Sequence, residues 1–167
     1  MQYDVVGYGS LLSHKSLKET IKDKKFIPVI VKGYKRIFDL DENSGDELNV
    51  EKSKNHKFNG VLFKVNEKEL EKIKGREDGY NIDEVDAYEF TTKKKIGKCF
   101  LFIDYYDVDY EKKTPDKSYF ILCREAAYAI SDDFGKFWDL TTYTSDGESV
   151  YQWIEKHKGW DTISRKL

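Results

Sequence analysis

Extended patterning over roughly the first two thirds of the chain and helical periodicity over the last third predict an α+β fold, with helices packed against one part of a curved sheet. Short runs rich in β-branched and aromatic residues, each stopped by a polar or glycine-containing turn, carry the first half of that prediction. Apolar residues spaced for one helical face carry the second: Tyr119, Leu122, Ala126 and Ile130, then Phe134, Phe137 and Trp138, then Val150, Trp153, Ile154 and His157. With 167 residues, no internal repeat and no low-complexity tract, residues 1–167 are expected to form a single domain. Aromatic residues make up 15% of the sequence, so large rings can build a core although only 39% of the chain is hydrophobic.

The first strand is expected from Gln2 to Tyr8, short and buried, and it stops at Gly9 and Ser10. Ser13 can cap a short helix with Leu17 and Ile21 on one face, and Phe26 to Leu40 reads as extended structure interrupted near Gly33. Asp41 to Asp46 and Lys52 to Lys57 read as exposed polar turns on either side of a short strand at Leu48 and Val50. Phe58 to Val65 is a cleaner strand, with Val61, Phe63 and Val65 on one side. Asn66 and Glu69 have the spacing of a reciprocal cap for a helix that turns Leu70 and Ile73 inward and ends at Gly75. After a charged loop from Arg76 to Tyr80, strands over Ile82 to Thr91 and Lys98 to Tyr106 are joined by a turn around Lys93 to Gly97. In the second of these, Cys99, Leu101, Ile103 and Tyr105 share a face. Pro115 sits just before the first of the C-terminal helices, where a missing backbone donor costs little.

Composition narrows the function. Twenty-nine Lys and Arg face 31 Asp and Glu, so no net field favours a polyanion, and the lysine clusters at Lys22, Lys24 and Lys25 and at Lys93 to Lys95 read as solvated loops. Nucleic acid is therefore not an expected partner. Cys99 and Cys123 lie in apolar patterns rather than in metal or redox spacings, and His14, His56 and His157 are scattered, so no metal, no organic cofactor and no Ser-His-Asp arrangement is expected. The start of the sequence lacks the basic and then apolar zones of a signal peptide, and no stretch is long enough to span a bilayer. A cytoplasmic protein without a membrane partner is the expectation.

Three places can carry chemistry. Gly9 and Ser10, two small residues between large apolar ones, let backbone N–H groups converge on an anion, although a strand ending in Gly-Ser is by itself an ordinary turn. Glu77 follows a capped helix. A carboxylate raised from about 4.3 towards about 6 to 7 by desolvation or a carboxylate neighbour can act as a general base, and Asp78 is such a neighbour while Arg76 works the other way. Tyr119, near the start of a helix, either anchors the core or points its hydroxyl into a cleft.

The constellation is more specific than its parts. Gly7-Tyr8-Gly9-Ser10-Leu11 closes the first strand, Lys32-Gly33-Tyr34-Lys35-Arg36-Ile37-Phe38 lies in the second, and Gly60-Val61-Leu62-Phe63-Lys64-Val65 lies in the middle. Arg76-Glu77-Asp78-Gly79-Tyr80 follows a short helix, and Pro115 to Tyr119 precedes the helical third. In this order these segments resemble the gamma-glutamylcyclotransferase superfamily, which includes the glutathione-degrading ChaC branch, the gamma-glutamylamine branch and the AIG2-like proteins. The resemblance covers nearly the whole chain and is thinnest in the middle loops. It implies a small mixed closed β-barrel with peripheral helices, a substrate loop at Tyr8, Gly9, Ser10 and Leu11, a catalytic glutamate at Glu77 and a cavity-lining Tyr119.

The implied reaction releases 5-oxoproline and a free amine or amino acid from a small gamma-glutamyl amide, with Glu77 as general base and then general acid and no cofactor. The loop would hold either the substrate α-carboxylate or the developing oxyanion. Two departures from the family pattern bear on this: Leu11 stands where one branch has Asn, and Asp78 adjoins Glu77, so either carboxylate can face the cavity, with the Arg-Glu pair followed by Gly-Tyr favouring Glu77. A non-catalytic binding or interaction module on the same fold is the second reading. A single-stranded nucleic-acid binder, drawing on the exposed aromatics and Lys93 to Lys95, ranks well below both.

Overall fold

The structure is a computed structural model that describes residues 1–40, 42, 45–76, 80–105, 111 and 114–164. Its strands are β1 (Gln2–Gly7), β2 (Ile27–Leu40), β3 (Glu47–Asn66), β4 (Asn81–Glu89), β5 (Lys95–Ile103) and the two-residue β6 (Thr142–Tyr143). The helices are α1 (His14–Lys18), α2 (Glu67–Arg76), α3 (Lys117–Ile130), α4 (Asp132–Thr141) and α5 (Val150–Lys156). The sheet order is β3-β1-β5-β4-β2-β6, and because β2 also pairs with β3, the five longer strands close into a ring. The fold is α+β, as the sequence patterning predicts.

β1 lies in the middle of the sheet, antiparallel to β3 from Gln2↔Asn66 to Gly7↔Val61 and parallel to β5 at Val5↔Phe100 and Val6↔Leu101. Alternation divides its side chains between two cores. Val6, Val31, Val50, Phe58, Leu62, Val85 and Leu101 belong to a cluster drawn from every strand of the ring, which fills it. Val5, Phe38, Val61, Phe63 and Val65 face the other way and meet Leu70 and Ile73 of α2, Phe120 of α3, Trp138 of α4 and Trp153 of α5. The helices thus cover one part of the ring and bury a second, larger core.

Local signals account for most helix starts. The Asn66 N–H donates to Glu69 Oε1 (3.0 Å) while the Glu69 N–H donates to Asn66 Oδ1 (2.8 Å), the reciprocal cap read from the spacing. Ser13 Oγ accepts from Ser16 N–H at α1, and Ser131 Oγ accepts from Phe134 N–H, which separates α3 from α4.

Four expectations need correction. Lys52 to Lys57 is not a turn, because β3 runs unbroken from Glu47 to Asn66. Its polar middle pairs with β2 at Lys32↔Lys57 and Tyr34↔Lys52 around a bulge at Gly33, whose φ of +88° only glycine adopts without strain. That stretch stays within the strand although its side chains are largely exposed, with ladder partners on β2 at its two ends. Gly97 marks a bulge in β5, not the hairpin turn, which lies earlier between Glu89 and Lys95, with Lys93 at φ 65°. Gly75 does not end α2, which continues to Arg76. On α3 the fully buried stripe is Phe120, Cys123 and Ala127, one residue out of phase with Tyr119, Leu122, Ala126 and Ile130. The phase is set by Arg124, buried on the same stripe and paired through Nε to Asp139 Oδ1 of α4 at 2.9 Å. Among the described residues no helix is long and apolar enough to cross a membrane.

Both cysteines are free and buried, and burial pushes each thiol from its ordinary value of 9.0 up to about 12. The folded chain therefore holds these protons after the unfolded chain has lost them. That contribution to stability is complete below about pH 9 and declines as pH rises towards about 12. Native protein is expected to leave a thiol reagent unreacted at neutral pH and to titrate two thiols once unfolded. Rapid labelling of either in the native state would show that these strands and helices open far more readily than their packing implies.

Candidate active site

At the end of β1 the chain leaves the sheet through Tyr8 and Gly9 and enters a 3₁₀ turn at Ser10–Leu12. Its side chains are pulled to opposite sides. The Tyr8 ring turns into the ring core, edge-on to Phe58, and its hydroxyl donates to the Phe102 carbonyl (2.6 Å). Leu11 and Leu12 are buried in the core beneath the helices. The turn is pinned from both sides, and its first backbone–backbone bonds are donated by Leu12 and Ser13 to the carbonyls of Gly9 and Ser10.

A cavity of about 410 Å³ opens above this turn. Tyr8, Gly9, Ser10, Leu11 and Tyr119, every substrate-side residue expected from the sequence, line it together. Glu77 and its neighbour Asp78 lie outside the described residues; Arg76 and Tyr80, the described residues on either side of 77–79, both line the cavity. The carboxylate residues Glu42, Glu47 and Asp104 complete the polar part of the wall. Among the described residues no cluster of His, Cys, Asp and Glu is arranged to hold a metal ion.

Tyr119 is brought to the cavity by the segment before α3. The Asp46 N–H donates to the Thr114 carbonyl (2.9 Å) and the Asp116 N–H to the Asp46 carbonyl (3.0 Å), which ties this segment to the start of β3. Asp116 then caps α3 by accepting from the Tyr119 N–H (2.8 Å). In the first turn of the helix the Tyr119 hydroxyl accepts the Leu48 N–H (3.3 Å) and abuts Gly9 so closely that a Cβ there would fall 2.6 Å from Oη. Burial raises the Tyr119 pKa well above the usual phenol value, so the group stays a hydroxyl at any physiological pH.

Two arginines organise the surroundings, and the sequence reading gave neither this role. Arg76, the last residue of α2, donates through Nη2 to Ser10 Oγ (2.9 Å) and Ser16 Oγ (2.6 Å), and through Nη1 to the Ser16 carbonyl (2.8 Å) and Thr20 Oγ1 (3.2 Å). Arg36 of β2 is wholly buried. Its Nε donates to Thr142 Oγ1 (2.8 Å), its Nη2 to Asn59 Oδ1 (2.6 Å) and Thr141 Oγ1 (3.2 Å), and its Nη1 to the carbonyls of Asn59 and, at 3.5 Å, Tyr8. Burial pulls its pKa down to about 9, still high enough to keep the charge at neutral pH. The available signal was positional: on a strand, Arg36 shares a face with Tyr34 and Phe38.

Compared with solved structures, the chain superposes on one described as a gamma-glutamyl cyclotransferase with a TM-score of 0.71, covering 93% of this chain and 99% of that one at 17% identity. It has the gamma-glutamylcyclotransferase-like fold. An uncharacterized protein from Homo sapiens, loc79017, is similar at a TM-score of 0.70 and 16% identity, over 93% of this chain and 97% of the other. An AIG2-like protein from Mus musculus matches at 0.51 and 14% identity, over 62% of this chain and 78% of the other. No protein-family model and no curated protein sequence matches. At these identities the likeness concerns the backbone, and the chemistry of the cavity depends on this chain's own side chains.

The contact between Gly9 and Tyr119 gives a direct test. Gly9→Ala is expected to cost about 1–3 kcal/mol in urea unfolding. Adding Tyr119→Phe should recover most of that loss, since the next atoms a Cβ meets, Leu48 Cβ at 3.5 Å and Tyr119 Cζ at 3.7 Å, are ordinary contacts. Additive losses in the double variant would mean that the two residues are not in contact.

Proposed function

We propose that this protein is an intramolecular cyclotransferase that releases 5-oxoproline and a free amine or amino acid from a small gamma-glutamyl amide. The observation that carries this reading is the convergence on one cavity of the Tyr8–Leu11 turn, Tyr119 and both described residues that flank 77–79. The fold shared with a gamma-glutamyl cyclotransferase adds support.

The chemistry needs little from the protein beyond orientation and proton transfer. The substrate's own α-amine attacks its γ-carbonyl carbon, closing a five-membered ring; the amide C–N bond breaks and the leaving nitrogen departs as an amine. The α-amine gives up a proton and the leaving nitrogen gains one, so a single carboxylate can serve as base and then as acid. Glu77 takes that role in the proposal. Holding the substrate folded removes rotational freedom in advance, an effect bounded above by about 7 to 11 kcal/mol in oriented intramolecular reactions. The turn at Tyr8, Gly9, Ser10 and Leu11 would grip the anionic part of the substrate, and Tyr119, protonated and half-buried, would close the wall beside it.

The test is 5-oxoproline release from a panel of glutathione, gamma-glutamyl dipeptides and a gamma-glutamylamine. Glu77→Gln is expected to fold normally and lose roughly 10²–10⁴-fold in kcat, whereas Asp78→Asn is expected to keep most of its turnover. The reverse pattern would move the proton shuttle to Asp78. No release from any substrate by folded wild-type protein would favour a binding module on the same fold.

A further inference from the structure

Arg76 is the single cationic side chain among the described residues that line the cavity, against the carboxylate residues Glu42, Glu47 and Asp104. An anionic group entering that space has its most favourable position beside the guanidinium. Arg76 also does something more local. Its Nη2 donates to Ser10 Oγ at 2.9 Å, so the serine oxygen spends a lone pair on a permanent cation and its own proton must point elsewhere. Ser10 lines the cavity, and among the described residues no acceptor takes that proton. The same guanidinium is held by Ser16 Oγ, the Ser16 carbonyl and Thr20 Oγ1, which fix its plane independently of Ser10.

We infer that Arg76 is a positioning residue that acts through Ser10, orienting the serine hydroxyl to donate into the cavity to the α-carboxylate of the glutamyl moiety. This rests on the cyclotransferase reading for the identity of the carboxylate. A fixed cation behind a hydroxyl suits an anion that is present throughout the reaction, since the Coulombic gain is the same in ground and transition states. The pair therefore belongs to binding rather than to the chemical step. Among the described residues the cavity's charge set, one guanidinium with three carboxylate residues, complements an α-amino acid end that carries both an ammonium and a carboxylate.

The experiment is a double-mutant cycle on Ser10→Ala and Arg76→Lys, read by KM and kcat for 5-oxoproline release and by calorimetric binding of two probes. These are 5-oxoproline, which retains the carboxylate, and 2-pyrrolidinone, which is the same ring without it. Each single variant is expected to raise KM and weaken 5-oxoproline binding about tenfold with kcat changed less than about threefold. The double variant should be no worse than the poorer single one, and 2-pyrrolidinone binding should be unaffected. Ser10→Ala leaves the Arg76 contacts to Ser16 and Thr20 in place, so it tests the inference even if Arg76→Lys destabilises the protein. Normal turnover with unchanged 5-oxoproline affinity in Ser10→Ala, or losses that simply add, overturns the inference and leaves the cyclotransferase reading standing. No turnover by the wild type, with 5-oxoproline binding that still depends on Ser10 and Arg76, overturns that reading and leaves the inference standing. A wild type that neither turns over nor binds 5-oxoproline overturns both.

Discussion

A guanidinium with no exposed surface stands where the strand ring, the turn after β1 and the helical layer meet. Burying a charge is costly, and the fully buried Arg36 is tolerated because its N–H groups reach acceptors on several elements at once: Tyr8 after β1, Asn59 on β3, Thr141 at the end of α4 and Thr142 in β6. Asn59 passes the connection on, donating through Nδ2 to the Phe134 carbonyl of α4 (2.9 Å). Among the described residues no carboxylate forms an ion pair with Arg36; it is satisfied by carbonyls, hydroxyls and an amide, and it lies over the faces of Phe58 and Trp138. Such a centre can be met in only one arrangement of the elements around it, and for that reason it specifies the arrangement as well as stabilising it.

The cavity inherits its shape from this geometry. With its carbonyl facing Arg36 and its ring locked between Phe58 and the Phe102 carbonyl, Tyr8 has no freedom to follow a ligand. Leu11 and Leu12 are equally committed on the other side. What remains at the cavity wall is the short polar stretch between them, walled by Tyr119 at Gly9 and braced by Arg76 at Ser10. A rigid floor of this kind is the usual condition for a site that must hold a small substrate in one conformer.

Much of this was legible in the residues, and the parts that were not share a cause. Caps at Ser13 and Asn66 and the two-sided patterning of the strands are local, set by neighbours within a few positions, and they read correctly. The turn residues and Tyr119 could be named because their segments occur in a recognisable order, and the cavity they share follows from the fold. By contrast, Lys52 to Lys57 looks like a turn because its side chains are polar, whereas it lies inside β3 and is anchored at its two ends by pairing with Tyr34 and Lys32 of β2. The phase of α3 depends on where Arg124 finds Asp139 on another helix. Arg36 and Arg76 look like surface charges until elements far away in sequence supply their partners. Local composition cannot report a tertiary partner, and these were the residues for which a tertiary partner decided the outcome.

The central position of β1 has a consequence for how the molecule is built. A strand from the start of the chain that pairs in parallel with residues near 100, and whose following turn depends on Phe102 and Tyr119, has no complete set of partners until well over half of the chain has been made. During synthesis the β2–β3 hairpin, with its nearby partners, can form early, while the Tyr8–Leu11 turn has to wait for contacts of long sequence separation and their loop-closure cost. Any truncation before α3 would therefore leave a chain with most of its sheet but without Tyr119, the wall of its cavity at Gly9. Formation of the cavity is thus tied to completion of the fold, so a nascent chain that ends before α3 has not yet built it.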